Sequence, residues 1–299
     1  MMPARPRNVL LRMLTPVVVL GTVLSLPSVA QASFPGKNGK IVFVSDIEGF
    51  DQIYVVNADG SGMQNLTNDQ SSIYLEPQWS ADGTKIAFVT NKSGNNDIWV
   101  MNGDGSGMQQ LTTDPAADGY PAWSPDGEHI AFASDRTGHW NIFVMDAEGN
   151  DQQDVTSSNA FDTMPSWSPD GTRIAFASIR TKNLHDDIWV MNADGSNQTP
   201  LTNTPRSEVE PTWSPDGAMI AFTKFGSAGA RIGVMNADGA GRHMLRRGMH
   251  PAWSPDGTRI AYLTPESLQL WTMNSDGTQG VPVVQNGTNQ TPDWQAIPE

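Results

Sequence analysis

The motif Pro-x-Trp occurs six times, with its tryptophans at Trp79, Trp123, Trp167, Trp213, Trp253 and Trp294, spaced 44, 44, 46, 40 and 41 residues apart. A chain that returns to the same side chains at so regular an interval folds as copies of one supersecondary unit. In the first five copies a Ser-Pro-Asp-Gly turn follows (Ser80-Ala81-Asp82-Gly83 in the first), and then a short apolar strand such as Ile130-Ala131-Phe132. A second apolar strand comes next, as in Asp97-Ile98-Trp99-Val100-Met101-Asn102. A further turn of the type Asn192-Ala193-Asp194-Gly195-Ser196 leads to a polar segment ending in Leu-Thr, as at Leu66-Thr67, Leu111-Thr112 and Leu201-Thr202.

Each unit thus offers four short β-rich segments separated by Asp-Gly turn signals, and helical periodicity is absent from residue 33 onward. Four strands in 40 to 46 residues fit one antiparallel blade of a β-propeller; a solenoid uses a shorter unit, and a sandwich does not repeat its side chains. Pro-x-Trp supplies the bulky wedge between neighbouring blades. Its proline donates nothing to a ladder, which places it on an edge strand facing the central channel.

The two ends of the repeat complete each other. The first unit, starting near Ile41-Val42-Phe43, has three strands and no Pro-x-Trp, whereas Thr291-Pro292-Asp293-Trp294-Gln295 is a Pro-x-Trp strand with no blade after it. The expected fold is therefore all-β: a six-bladed β-propeller of four-stranded antiparallel blades, closed by the C-terminal strand as the innermost strand of the first blade. Closure leaves no open blade edge.

Ahead of the repeats, Arg5, Arg7 and Arg12 precede an apolar run over residues 14–26 and the small-residue stretch Ser28-Val29-Ala30-Gln31-Ala32. This pattern is that of a secretory signal peptide over residues 1–32, with the propeller over residues 33–299, and it predicts a periplasmic or secreted protein. The apolar run is short for a membrane span, which needs roughly 20 residues, so no stable membrane insertion is expected. There is no cysteine, and the exported chain must hold together by its core alone. Cleavage leaves 15 basic against 32 acidic residues, a formal charge of −17. Such a surface repels nucleic acid and anionic lipid. The chain is expected to be a monomer.

The repeat Pro-x-Trp-Ser-Pro-Asp-Gly-x-x-Ile-Ala-Phe, followed by Asp-Ile-Trp-Val-Met-Asn-Ala-Asp-Gly-Ser, resembles the WD-type PD40 repeat of the TolB-like β-propellers, from Pro35 to Trp294. The resemblance implies the propeller fold and, more weakly, the family's periplasmic partnership with the peptidoglycan-associated lipoprotein of the Tol-Pal system. TolB carries an additional N-terminal α/β domain, for which no room is expected between Ser33 and the first blade. Similar repeats occur in propellers attached to prolyl oligopeptidase-type hydrolases, and no such domain is expected beyond Glu299.

Catalytic signatures are missing: no His-Glu-x-x-His, no Gly-x-Ser-x-Gly elbow, and no phosphate loop beyond Gly103-Asp104-Gly105-Ser106-Gly107, which is one of the recurring turns. Asn57-Ala58-Asp59-Gly60-Ser61 and its copies lack the distal Glu of a calcium loop. No catalytic or metal residue is assigned. Since the repeated residues build the scaffold, function is expected where the repeats differ. The residue before each proline is in turn Glu76, Tyr120, Met164, Glu210, His250 and Thr291, a ring of five kinds of side chain around one channel mouth.

Two of these six, Glu76 and Glu210, with Asp118, Asp162 and Glu208 nearby, form a candidate oxygen set for Ca²⁺. His250 and Glu210, from neighbouring blades, form a candidate acid–base pair. Arg242, Arg246 and Arg247 interrupt the Leu-Thr pattern and make a candidate anion-binding patch. The function these features favour is an exported, non-catalytic binding or scaffold module whose channel mouth takes an envelope protein, a peptide or a glycan. The alternative is a propeller enzyme, a lyase or hydrolase acting on a polysaccharide or small molecule at the same mouth.

Overall fold

The computed structural model describes residues 35–180 and 185–298; the expected signal peptide lies outside them. The described residues form 24 β-strands in six four-stranded antiparallel sheets and no α-helix. Blade 1 has the strand order β24 (Asn289–Ile297), β1 (Lys37–Ser45), β2 (Gln52–Val56), β3 (Gln64–Asn65). Blades 2 to 6 follow in chain order, over residues 74–110, 118–154, 162–200, 208–247 and 249–284. The expected closure is present: β24 pairs with β1, Trp294 opposite Ile41 and Asn289 opposite Ser45. Gln295, also on β24, donates to the carbonyl of Gly83 in blade 2 at 2.8 Å, and Asn38 donates to Asp256 in blade 6 at 2.9 Å.

The tryptophans lie where the wedge argument puts them. Trp79 packs among Val42, Ile53 and Val55 of blade 1 and Ile86 and Phe88 of its own blade. Trp213 lies among Ile188 and Val190 of blade 4 and Ile220 and Phe222 of blade 5, and Trp294 joins blade 1 to Ala261 and Leu263 of blade 6. Trp167 also donates its indole N–H to the carbonyl of Ala122 in the preceding blade at 3.1 Å. Every such cluster mixes side chains of two blades, so no blade buries its own faces alone.

The turns are stabilised from within. In Ser-Pro-Asp-Gly the serine hydroxyl donates to the aspartate, as Ser214 does to Asp216 at 2.6 Å, and accepts the amide of the residue that opens the next strand, here Met219 at 2.9 Å. The Ser214 hydroxyl and the Ala218 amide hold the Asp216 carboxyl below its ordinary value. Gly217 closes the turn at φ +68°, a conformation that suits glycine. The Leu-Thr segments have a similar logic. Outer strands of blades 1 to 4 are only two residues long, and Thr67, Thr112, Thr156 and Thr202 accept the amides of Ile53, Ile98, Ile142 and Ile188 at 2.9 to 3.1 Å. A hydroxyl thus replaces the ladder partner that a longer outer strand would supply.

Burying a tryptophan removes roughly 150–250 Å² from water, an upper estimate of about 4–6 kcal/mol. Trp79 is only 1% exposed. Trp79→Ala is expected to cost about 3–5 kcal/mol and to lower the melting temperature by roughly 10 °C in a calorimetric scan. An unchanged melting temperature would contradict the wedge role.

Candidate functional site

Six inner strands line the channel: β4 (Tyr74–Trp79), β8 (Asp118–Trp123), β12 (Asp162–Trp167), β16 (Glu208–Trp213), β20 (Met249–Trp253) and β24. Each slips register just before its proline, between Leu75 and Gln78, Gly119 and Ala122, Thr163 and Ser166, Val209 and Thr212, Met249 and Ala252, and Gln290 and Asp293. The residue at each slip has positive φ: Glu76 +53°, Tyr120 +55°, Met164 +56°, Glu210 +58°, His250 +52° and Thr291 +40°. Only a few per cent of non-glycine residues adopt this region. A bulge re-aims a side chain, and here six of them bring all six candidate mouth residues to the wall of one cavity of about 320 Å³.

The mouth residues couple neighbouring blades. Glu76 Oε2 accepts the amide of Tyr120 at 2.5 Å, and Glu210 Oε2 accepts the amide of His250 at 2.9 Å. Glu210 is more fully occupied: Oε2 also accepts the Thr223 hydroxyl at 2.5 Å, and Oε1 lies 3.0 Å from His250 Nδ1. The expected His250–Glu210 contact therefore exists, with Glu210 orienting the imidazole.

Two residues on, Gln78 and Asp293, at the variable position inside Pro-x-Trp, line the cavity as well. Gln78 accepts the amide of Trp123 at 2.6 Å, and Asp293 accepts that of Trp79 at 2.8 Å. Sequence reasoning passed over Asp293 and Gln78, because the register slip that puts them in the cavity wall is not visible in the alternation of the strand. Burial pushes the Glu76 carboxyl up to about 7 against the lowering effect of the Tyr120 amide. Burial likewise pushes Asp293 up to about 7 against the amides of Trp79 and Trp294. The Tyr120 phenol is raised by burial first, and then by the negative charges of Glu76, Glu210 and Asp186.

Other expected groups are not gathered at the mouth. Asp118, Asp162 and Glu208 are buried and ion-paired within their own blades, to Arg136 at 3.0 Å, Arg180 at 2.5 Å and Lys224 at 2.5 Å. They stand apart from Glu76 and Glu210, and among the described residues no three His, Asp or Glu side chains are placed to hold a metal ion. The three arginines of the candidate patch each have a partner of their own. Arg242 lies 3.9 Å from Glu208, Arg246 sits 5.3 Å over the Tyr262 ring, and Arg247 pairs with Glu266 at 2.9 Å. Their departure from Leu-Thr has a structural origin: β19 (His243–Arg247) runs on as a five-residue outer strand.

The family profile described as the TolB beta propeller domain matches residues 25–119, 70–160 and 114–297. The chain belongs to this family. Among solved structures it is similar to TolB from Acinetobacter baumannii, at 23% identity and a TM-score of 0.78 over 89% of this chain and 69% of that one. A putative TolB from Agrobacterium tumefaciens matches at 20% identity and a TM-score of 0.67, over 86% of this chain and 92% of the other. A manganese-bound oligogalacturonate lyase matches at 14% identity and a TM-score of 0.60, over 85% of this chain and 77% of the other. At these identities the likenesses establish the fold alone. No protein of curated function matches the chain.

Glu76 and Asp293 bind their protons more tightly in the folded ring than in the unfolded chain, where carboxyls titrate near 4.5 and 3.8. Their contribution to stability is therefore full below those values and is lost as pH rises through about 7. The double variant Glu76→Gln, Asp293→Asn should melt like the parent near pH 4 and clearly above it near pH 8, by roughly 2–4 °C for each kcal/mol of relieved destabilisation. A difference in melting temperature that stays constant with pH would contradict the assignment.

Proposed function

We propose that the protein is an exported binding module whose channel mouth holds an envelope protein, a peptide or a glycan. The observation that carries this reading is the contrast within each inner strand. Proline and tryptophan are the same in every blade, while the bulged residue before the proline is of five kinds in six blades and faces one cavity. A scaffold alone has no need of six side chains held at positive φ, each at a cost of about 1–3 kcal/mol. Family membership and the signal-peptide pattern support a periplasmic setting. A second reading, an enzyme at the same mouth, draws support from the 3.0 Å His250–Glu210 contact and from the shared fold of a lyase.

Site-specific photo-crosslinking tests the reading. A photoreactive residue at Met164 should capture a discrete envelope component from living cells, whereas one at Pro125, in a turn at the far end of the ring, should not. Capture from Pro125 alone, or from neither position, would contradict it. For the enzyme reading, Glu210→Gln should abolish turnover rather than capture.

A further inference from the structure

Acids at the mouth end of this propeller are satisfied in two ways: the buried Asp97 and Asp187 accept hydrogen bonds from neighbouring hydroxyls and N–H groups, and the others that are satisfied have a cation. Asp118, Asp162 and Glu208 have Arg136, Arg180 and Lys224, and the half-buried Glu210 has the imidazole of His250. Glu76 and Asp293 are half-buried, and among the described residues neither is in an ion pair and no Lys or Arg lines the cavity they share. Glu76 uses Oε2 to accept the Tyr120 amide, and Oε1 accepts no hydrogen bond among the described residues. An unpaired carboxylate in such a wall is costly, and a cation brought in from outside offsets that cost. The raised proton affinity of both groups fits sites whose charge is complete only when such a cation is present.

The second observation lies around the cavity. Phe43, Phe88, Phe132, Phe143, Phe176 and Phe222 are core residues, while Phe50, Phe161 and Phe225 are 43 to 45% exposed. All three exposed rings belong to the mouth end. Phe50 is in the β1–β2 loop beside the start of β24, Phe161 immediately precedes β12, and Phe225 immediately follows the strand paired with Glu208 of β16. Phe161 is also propped by Trp140 of the preceding blade, with ring centroids 6.1 Å apart. Single exposed apolar residues are ordinary; three phenylalanines around one acidic opening mark an interaction surface.

We propose that the mouth receives a polypeptide segment that inserts one Lys or Arg side chain into the channel, toward Glu76 and Asp293, while an apolar neighbour in the segment rests on Phe161 or Phe225 of the adjacent blades 4 and 5. This rests on the reading of the mouth as a binding site and narrows it to one chemistry. Charge complementarity selects the occupant: a long basic side chain passes Met164 with its apolar stem and brings several donors to acids on two blades, where the described residues offer no triad of metal ligands. The same acids disfavour an acidic glycan.

The test is selection of short random peptides displayed on phage against the whole protein, followed by fluorescence anisotropy with the enriched peptides. Enriched sequences should share a Lys or Arg flanked by an apolar residue, and replacing that residue by norleucine should weaken binding roughly tenfold or more, as loss of one partner of a buried charge pair does. Glu76→Gln and Asp293→Asn each keep an acceptor for the neighbouring amide and so preserve the fold, checked by thermal unfolding. Each should weaken binding by a similar factor, and Phe161→Ser should weaken it as well. Peptides indifferent to norleucine, no enriched peptide, or binding of a neutral glycan at the mouth in place of peptides would overturn the cationic insertion and leave the mouth a binding site. Undiminished peptide binding after the channel is plugged by Met164→Trp would overturn both.

Discussion

The packing of one tryptophan between two blades is the interaction on which the rest of this structure depends. A four-stranded blade has two apolar faces and no partner of its own, so its stability comes from its neighbours. In a linear array the end blades would stay half exposed. Here the array closes because the last Pro-x-Trp belongs to a strand that completes the first blade, and Trp294 wedges blade 1 against blade 6 as Trp79 wedges blade 2 against blade 1. A chain without a single cysteine can rely on such a core because all six joints support one another.

That arrangement frees the channel wall. Proline at each inner strand gives up a donor on the side where there is no ladder to join, and the residue before it is thrown into a bulge at positive φ. The bulge is strained, and the surrounding ring holds it in place. Its side chain lies outside the wedge core, although Tyr120 rests against the cluster around Trp123 and Trp167, and is therefore open to variation. Glu76 and Glu210 show the one structural duty left to it, accepting the amide of the next blade's bulge, and the carboxylate oxygens not so used remain in the channel.

The fold was legible in the sequence because its cause is periodic: the recurrence of Pro-x-Trp, Asp-Gly turns and Leu-Thr maps directly onto inner strand, hairpin and outer strand. The mouth was legible for a related reason, since a residue fixed in place by an invariant neighbour occupies the same point of every blade. Less was legible of what side chains do once placed. Asp118, Asp162 and Glu208 read as loop acids near Glu76, but Arg136, Arg180 and Lys224 reach them from elsewhere in the same blade, which spacing does not reveal. Arg242, Arg246 and Arg247 read as a patch because they are close in sequence, yet in the folded blade they serve three different partners. Asp293 was hidden inside the motif itself, where attention to the recurring residues obscured the one that changes.

The central claim is that the ring is one cooperative unit closed by β24. Native-state hydrogen exchange measures this directly, because local opening and global unfolding give different protection. The account predicts that amides joining β24 to β1 exchange with the same free energy as those of the inner strands β8 and β12. Exchange of β24 through a local opening several kcal/mol below the rest of the ring would contradict it.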